Sequence, residues 1–165
     1  MTPTFDELIL MSSKLIDLAR EKAVRFTFAE SCTGGLASAM ITEVSGSSDV
    51  YDGGVCTYAN RIKTKLIGVD PSTLSQHGAV SSETAFEMSE GVLDLMGVDI
   101  AISITGIAGP GGAQKDKPVG TVWFGCTHHK QSQTYLKHFE GNRSEVRRQS
   151  VAFAFSLLED ALRAF

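Results

Sequence analysis

Ser31 stands in the run Ala29-Glu30-Ser31-Cys32-Thr33-Gly34-Gly35, between a strand-like segment and the start of a helix. A hydroxyl in that setting is either a nucleophile or a helix cap. As a nucleophile it would lie among the free N–H groups of a Gly-Gly helix start, which can hold an anion or a developing oxyanion. As a cap it would satisfy the helix start, with the glycines allowing close helix–strand packing. The run is neither a P-loop nor a G-x-S-x-G elbow, because neither spacing occurs.

A nucleophilic serine needs a base. His128 and His129 fall at a hairpin turn, His138 near a strand end and His77 before a glycine, so all four histidines read as surface or capping residues. Lysine is the other known partner of a catalytic serine. Lys63 follows a strand end on a short helix led by Asn60. It is a base if burial or neighbouring charge from Arg61 and Lys65 keeps it neutral, and an ordinary solvated lysine otherwise. Glu30 orients that lysine, binds substrate, or simply ends its strand. Tyr58 donates a proton, stacks on a flat ring, or packs half-buried. Thr105, at another strand end, is placed to hydrogen-bond a ligand. It opens a loop to Pro118 that carries Gly106, Gly109, Gly111 and Gly112, and loops of this length tend to be functional. Arg143, Arg147 and Arg148 crowd the first turns of the last helix, where cations oppose the helix dipole. A bound phosphate would account for them, and so would acids of a neighbouring subunit.

The elements that must position these residues alternate between helical and strand patterns, the signature of a layered α/β fold. A capping box at Thr4 and Glu7 starts a helix to about Arg20. Val24–Ala29 reads as a strand and Leu36–Glu43 as a helix. After the loop Gly46-Ser47-Ser48-Asp49, a second strand is expected over Val50–Tyr58, with a bulge or close backbone approach at Gly53-Gly54. Asn60 is expected to cap the Lys63 helix, which stops near Gly68. A short turn of helix follows Asp70-Pro71, and a longer helix runs from Glu83 to Met96. Asp99–Ile104 is a strand, Val119–Thr127 and Gln133–Phe139 form a hairpin, and a helix capped by Asn142 and Glu145 runs to about Arg163. A hairpin within an alternating pattern implies a mixed sheet. If the three strands before Ser31, Tyr58 and Thr105 are parallel neighbours, their loops share one crevice beyond the strand ends.

Composition narrows the function. The chain has 165 residues, enough for one domain with a core that needs no staples. A net charge of −4 argues against a general nucleic-acid binder. No stretch approaches the length of a membrane span, and the N-terminus carries acids where a signal peptide carries Lys or Arg. A cytoplasmic protein is expected. Three widely spaced cysteines, Cys32, Cys56 and Cys126, suit neither a disulfide framework nor a zinc site.

Taken together, seven runs closely resemble the CinA C-terminal domain family. They are the Ser31 run, Gly46-Ser47-Ser48, Thr57-Tyr58-Ala59-Asn60 with Lys63, His77–Ser81, Ser103–Gly112, Lys117–Val122, and Gly141-Asn142-Arg143 with Val146-Arg147-Arg148. They keep the family's order and span nearly the whole chain. The resemblance implies a three-layer α/β/α sandwich with a mixed five- to six-stranded sheet, as one amidase domain over residues 1–165. No molybdopterin-binding-like domain, which precedes the amidase in longer members, is expected. The resemblance further implies hydrolysis of nicotinamide mononucleotide to nicotinate mononucleotide and ammonia, with Ser31 as nucleophile and Lys63 as base. Candidate catalytic residues are thus Ser31, Lys63, Tyr58 and Thr105. Candidate substrate contacts are Glu30, Cys32, Thr33, Gly34, Gly35, Gly46, Ser47, Ser48, Asn60, Gly106, Arg143 and Arg147. The phosphate is expected at either the Thr33-Gly34-Gly35 helix start or the Arg143/Arg147 cluster. This chemistry needs no metal or cofactor, and a homo-oligomer is expected. The alternatives are a non-catalytic nucleotide-binding or regulatory module, and an interaction protein tied to competence or DNA damage.

Overall fold

The computed structural model describes residues 1–165. In chain order the elements are α1 (Phe5–Lys22), β1 (Phe26–Glu30), α2 (Leu36–Thr42), β2 (Val55–Cys56), α3 (Asn60–Ile67), α4 (Pro71–His77), α5 (Ser82–Met96), β3 (Ile100–Gly106), β4 (Thr121–His128), β5 (Gln131–His138) and α6 (Arg143–Arg163). Local chemistry sets most boundaries. Reciprocal capping boxes open α1 at Thr4/Glu7 and α6 at Asn142/Glu145, and Ser81 caps α5 through the Thr84 amide. Gly68 and Gly97 end α3 and α5 in the left-handed conformation that glycine adopts without strain.

The five strands form one mixed sheet in the order β2-β1-β3-β4-β5. β1 is flanked by β2 and β3, both parallel to it, while β3, β4 and β5 are antiparallel neighbours. The three strands are parallel neighbours, as the shared crevice would require, so the segments that follow β1, β2 and β3 leave the sheet at one end. The chain leaves β1 for β2 on one side and β3 lies on the other, so β1 ends at a topological switch point.

The two sheet faces are unequal. Phe26, Phe28, Ile100, Ile102, Ile104 and Phe124 point into a large core shared with α1, α2 and α6. The alternate residues Ala29 and Ala101 face a smaller cluster with Ile67, Val69, Met88 and Val92. Small residues on that face bring α5 close, and the Ser103 hydroxyl donates to the Ala85 carbonyl at 2.6 Å. Helices thus cover both faces, completing the three layers.

The close packing extends to α3. A Cβ on Gly91, within α5, would lie 1.8 Å from the Ile67 carbonyl oxygen at the end of α3. Glycine is a poor helix former, so Gly91→Ala should gain about 1 kcal/mol by helix propensity alone. The contact reverses that sign. Gly91→Ala is expected to lower the midpoint of thermal unfolding and to weaken catalysis by displacing α3, which carries Lys63. Calorimetry of the variant beside wild type checks this.

The second strand is the main departure from expectation. Val50–Tyr58 contributes only Val55–Cys56 to the sheet, plus one isolated bridge between Tyr51 and Phe26. Gly53 (φ 148°) and Gly54 break the run. Tyr51 lies opposite Phe26 and Val55 opposite Ala29, so the chain runs beside β1 with one extra residue, and the close approach expected at Gly53-Gly54 is present: a Cβ on Gly54 would meet the Phe28 carbonyl at 2.8 Å and the Tyr51 hydroxyl at 2.6 Å. Two smaller corrections follow. Asn60 does not cap α3: Ala59 holds that position, without a side-chain bond, and Asn60 is the first helical residue. Thr105 and Gly106 do not open the long loop but end β3, paired with Trp123 and Val122.

Candidate active site

The turn after β1 presents Ser31 at the end of the central strand, where its amide is fixed to the Ile104 carbonyl of β3 at 2.9 Å. The segment after β2 then brings in α3. Lys63 and Ile67, one turn apart, are the buried residues of that helix, so Lys63 points inward with only 1% of its surface exposed. Its Nζ lies 3.0 Å from Ser31 Oγ, 2.7 Å from the Thr57 carbonyl and 3.3 Å from the Tyr58 carbonyl. No carboxylate forms an ion pair with it. Burial disfavours the ammonium and brings the Lys63 pKa down to about 8.

Neighbouring thiols do not compete as nucleophiles. Burial pushes Cys32 up to about 12, which keeps it a neutral thiol at working pH. The histidines are elsewhere. His77 is 3.5 Å from Glu83, His138 pairs with Thr121, and His128 and His129 lie against Phe165. No cluster of His, Cys, Asp and Glu side chains is gathered in a form that could hold a metal ion.

Above the pair, Arg143 at the start of α6 joins two loops. Its guanidinium donates to the Tyr58 hydroxyl and to the Gly109 carbonyl, each at 3.0 Å. Tyr58 is 60% exposed, so its ring is free on the rim. Arg147, one turn on, donates to the Thr33 carbonyl at 2.7 Å and ties α6 to the Ser31 turn. Thr33 and Thr57, both fully buried, each carry a hydroxyl that bonds to no other protein group.

The CinA C-terminal domain family model matches residues 9–162. The chain belongs to the CinA C-terminal domain family. Among its relatives, the nicotinamide-nucleotide amidohydrolase PncC of Shigella flexneri is 43% identical over 156 residues, 94% of each chain. The protein of the same name from Enterobacter agglomerans is 49% identical over 140 residues, 84% of each chain. The fold agrees with the crystal structure of a CinA-superfamily protein from Klebsiella pneumoniae, with a TM-score of 0.89, 37% identity and coverage of 99% of this chain and 100% of that one.

Within this CinA-family fold, several sequence-derived site residues are either distant from the Ser31–Lys63 pair or engaged elsewhere by their side chains. Gly46, Ser47 and Ser48 sit at the opposite end of β1, where Arg25 donates to the Ser48 and Asp49 carbonyls and Arg20 to Gly46. Ser31 is six residue steps of extended chain beyond Arg25, roughly 20 Å at strand spacing, so these amides do not reach a Ser31 oxyanion within one chain. Asn60 is exposed on an open groove between α3 and α4, lined also by Arg61, Thr64, Lys65 and Leu74. That groove, about 530 Å³ in volume, lies on the outer side of α3 from Lys63, and we do not assign the chemistry to it. The Glu30 carboxylate is fully buried and bonded to the start of α2, facing neither Lys63 nor the mouth of the site. The Thr105 hydroxyl is turned to the Ala79 carbonyl at 2.7 Å. Gly106 belongs to the sheet, where a Cβ would strike the Thr121 carbonyl.

Other contributors escaped sequence reasoning. The carbonyls of Thr57, Tyr58, Ile104 and Gly109 hold Lys63, Ser31 and Arg143. Every residue owns a carbonyl, so residue type gives no signal for such a role.

Proposed function

We propose that the chain is an amidohydrolase converting nicotinamide mononucleotide to nicotinate mononucleotide and ammonia through a Ser31–Lys63 dyad. The observation that carries this reading is a buried amine without a counter-ion, 3.0 Å from a serine oxygen. The names of the Shigella and Enterobacter relatives support the substrate class.

When Lys63 is neutral, the Thr57 and Tyr58 carbonyls accept its two N–H bonds. Its lone pair is then directed at the Ser31 hydroxyl, which donates to it. Ser31 loses its proton to Lys63 as it attacks the carboxamide carbon. The amides of Cys32 and Thr33 donate to no protein acceptor, so they are the N–H groups available to the oxyanion. The new Lys63 ammonium protonates the amide nitrogen of the tetrahedral intermediate, the C–N bond breaks to release ammonia, and the resulting acyl-enzyme is hydrolysed by water activated through the same amine.

Of the two phosphate positions left open by the sequence, the geometry favours Arg143. The α2 start is closed to an anion because Gly35, Ala37 and Ser38 already donate to Glu30, and the Leu36 amide to Thr33. Arg147 is turned to Thr33, whereas Arg143 stands exposed on the rim beside the Tyr58 ring.

The test is ammonia release from nicotinamide mononucleotide and from its phosphate-free riboside. Wild type is expected to prefer the mononucleotide. Arg143→Ala should raise KM for it about 10- to 100-fold, leave kcat nearly unchanged, and barely affect the riboside. Binding of the mononucleotide by wild type without ammonia release would replace this reading with that of a regulatory module.

A further inference from the structure

We infer that Glu30 is a positioning residue, an internal carboxylate that clamps the first amides of α2 and thereby holds the Ser31 turn in reactive geometry. The inference rests on the hydrolase reading above. Glu30 ends β1 and is bonded directly to Ser31. Its side chain is fully buried. One carboxylate oxygen accepts from the Gly35 amide at 3.1 Å and the Ala37 amide at 3.0 Å. The other accepts from the Ser38 amide at 2.9 Å and the Ser38 hydroxyl at 2.7 Å. The Ser38 oxygen in turn accepts from the Tyr51 hydroxyl at 2.7 Å.

The main chain of Glu30 reaches the base as well. Its carbonyl accepts from the Thr57 amide at 2.8 Å, and the Thr57 carbonyl accepts from Lys63. One residue therefore touches the nucleophile's turn, the helix behind it and the segment after β2 whose carbonyl holds the base.

Such a clamp answers a specific weakness. The turn from Ser31 to Gly35 contains two successive left-handed glycines, Gly34 (φ 60°) and Gly35 (φ 97°). Glycine leaves the backbone free to move, yet the Cys32 and Thr33 amides must stay aimed at one point. A buried carboxylate without a cation is an expensive way to cap a helix. A serine at the helix start would satisfy an amide at lower cost. Only a side chain that leaves from before Ser31 and bonds beyond Gly35 closes the turn from both ends.

Glu30→Gln tests this. The variant keeps the shape but replaces one oxygen by an NH2 donor, and each oxygen position faces at least one amide donor. We expect kcat on nicotinamide mononucleotide to fall about 10²-fold, the loss typical of a small misplacement of reacting groups. KM should stay within about twofold, and the acid limb of kcat/KM should not move. Labelling of Ser31 by a fluorophosphonate should slow in parallel. Ser38→Ala removes the hydroxyl link to Glu30 together with the acceptor of the Tyr51 hydroxyl, keeps every amide bond to the carboxylate, and should lower kcat several-fold in the same direction, which keeps the test open if the glutamine variant does not fold. Wild-type kcat per folded molecule in either variant overturns the inference. So does a shifted acid limb, which would make Glu30 an electrostatic partner of Lys63 instead. If wild type releases no ammonia but its labelling by the fluorophosphonate is slowed by Glu30→Gln, the amidase reading fails and the positioning role stands.

Discussion

Ser31→Ala is expected to lower kcat/KM for nicotinamide mononucleotide by about 10³- to 10⁴-fold, and Lys63→Ala to do the same, with the double variant losing little more than either single one. The near-equality follows from the geometry. Lys63 Nζ and Ser31 Oγ are one 3.0 Å contact, and no histidine or carboxylate is in reach to replace the amine. Without Lys63 the hydroxyl keeps its proton, and without Ser31 the amine has no nucleophile to activate. The two residues act as a unit, so their losses do not add. Residual activity should come from substrate binding and the free amides of Cys32 and Thr33, because one oxyanion donor is typically worth about 3–4 kcal/mol. Cys32 should not substitute for the serine, since burial holds its thiol up to about 12. Ammonia release by the three variants, each with a melting curve to show that it folds, is the measurement. Activity that survives Ser31→Ala would sink the dyad mechanism while leaving the substrate assignment standing.

The second large effect joins pH, stability and rate through Lys63. Burial lowers its pKa from the 10.5 of a solvated lysine to about 8. Between those values the unfolded chain binds a proton that the folded chain does not, so this residue makes stability rise with pH across the window. Below pH 8 the whole penalty of burying the ammonium is present, and above 10.5 it is gone. Lys63→Met, which carries no charge, should lack this dependence. The stability of the methionine variant relative to wild type is therefore expected to fall by about 3 kcal/mol from below pH 8 to above pH 10.5. The same group sets the acid limb of catalysis. Only neutral Lys63 accepts the Ser31 proton, so kcat/KM should rise about tenfold per pH unit up to a bend near pH 8 and then level off. Denaturant titrations of both proteins at several pH values, beside a pH–rate profile, check the two halves. A methionine variant with the wild-type pH dependence of stability would show that Lys63 is solvated in the folded protein.

The proposed dyad came from the family resemblance, since residue types alone left Ser31 open as a helix cap and Lys63 as a solvated lysine. A serine before Gly-Gly and a lysine after a strand end are visible in the chain, and the seven spaced runs carry the family. What they could not show was the state of the amine. The sequence offers Arg61 and Lys65 as neighbouring charges, yet desolvation is the main cause of the lowered pKa. The expected crevice depended on three strands being parallel neighbours, and the β2-β1-β3 order supplies that.

The misplaced residues share one cause. Gly46-Ser47-Ser48 belongs to the family pattern, but a pattern does not say at which end of a strand a loop lies. Glu30 neighbours Ser31 in sequence, yet consecutive strand residues point to opposite faces. Glu30 therefore binds α2 and Tyr51's partner Ser38 rather than the lysine. The strand expected over Val50–Tyr58 shrank to two residues because Gly54 passes against the Phe28 carbonyl, a contact between segments 26 residues apart.

The sequence by itself determined the helix starts at Thr4 and Asn142, the helix ends at Gly68 and Gly97, and the mixed α/β class. These depend on interactions within a few residues or on the chemical nature of a side chain. Tertiary structure alone decided that Lys63 is buried without a counter-ion, that Arg143 meets Tyr58 across 85 residues, and that Glu30 is turned away from the base. Each of these is set by which segments exclude water from one another, and that depends on packing between elements distant in the chain.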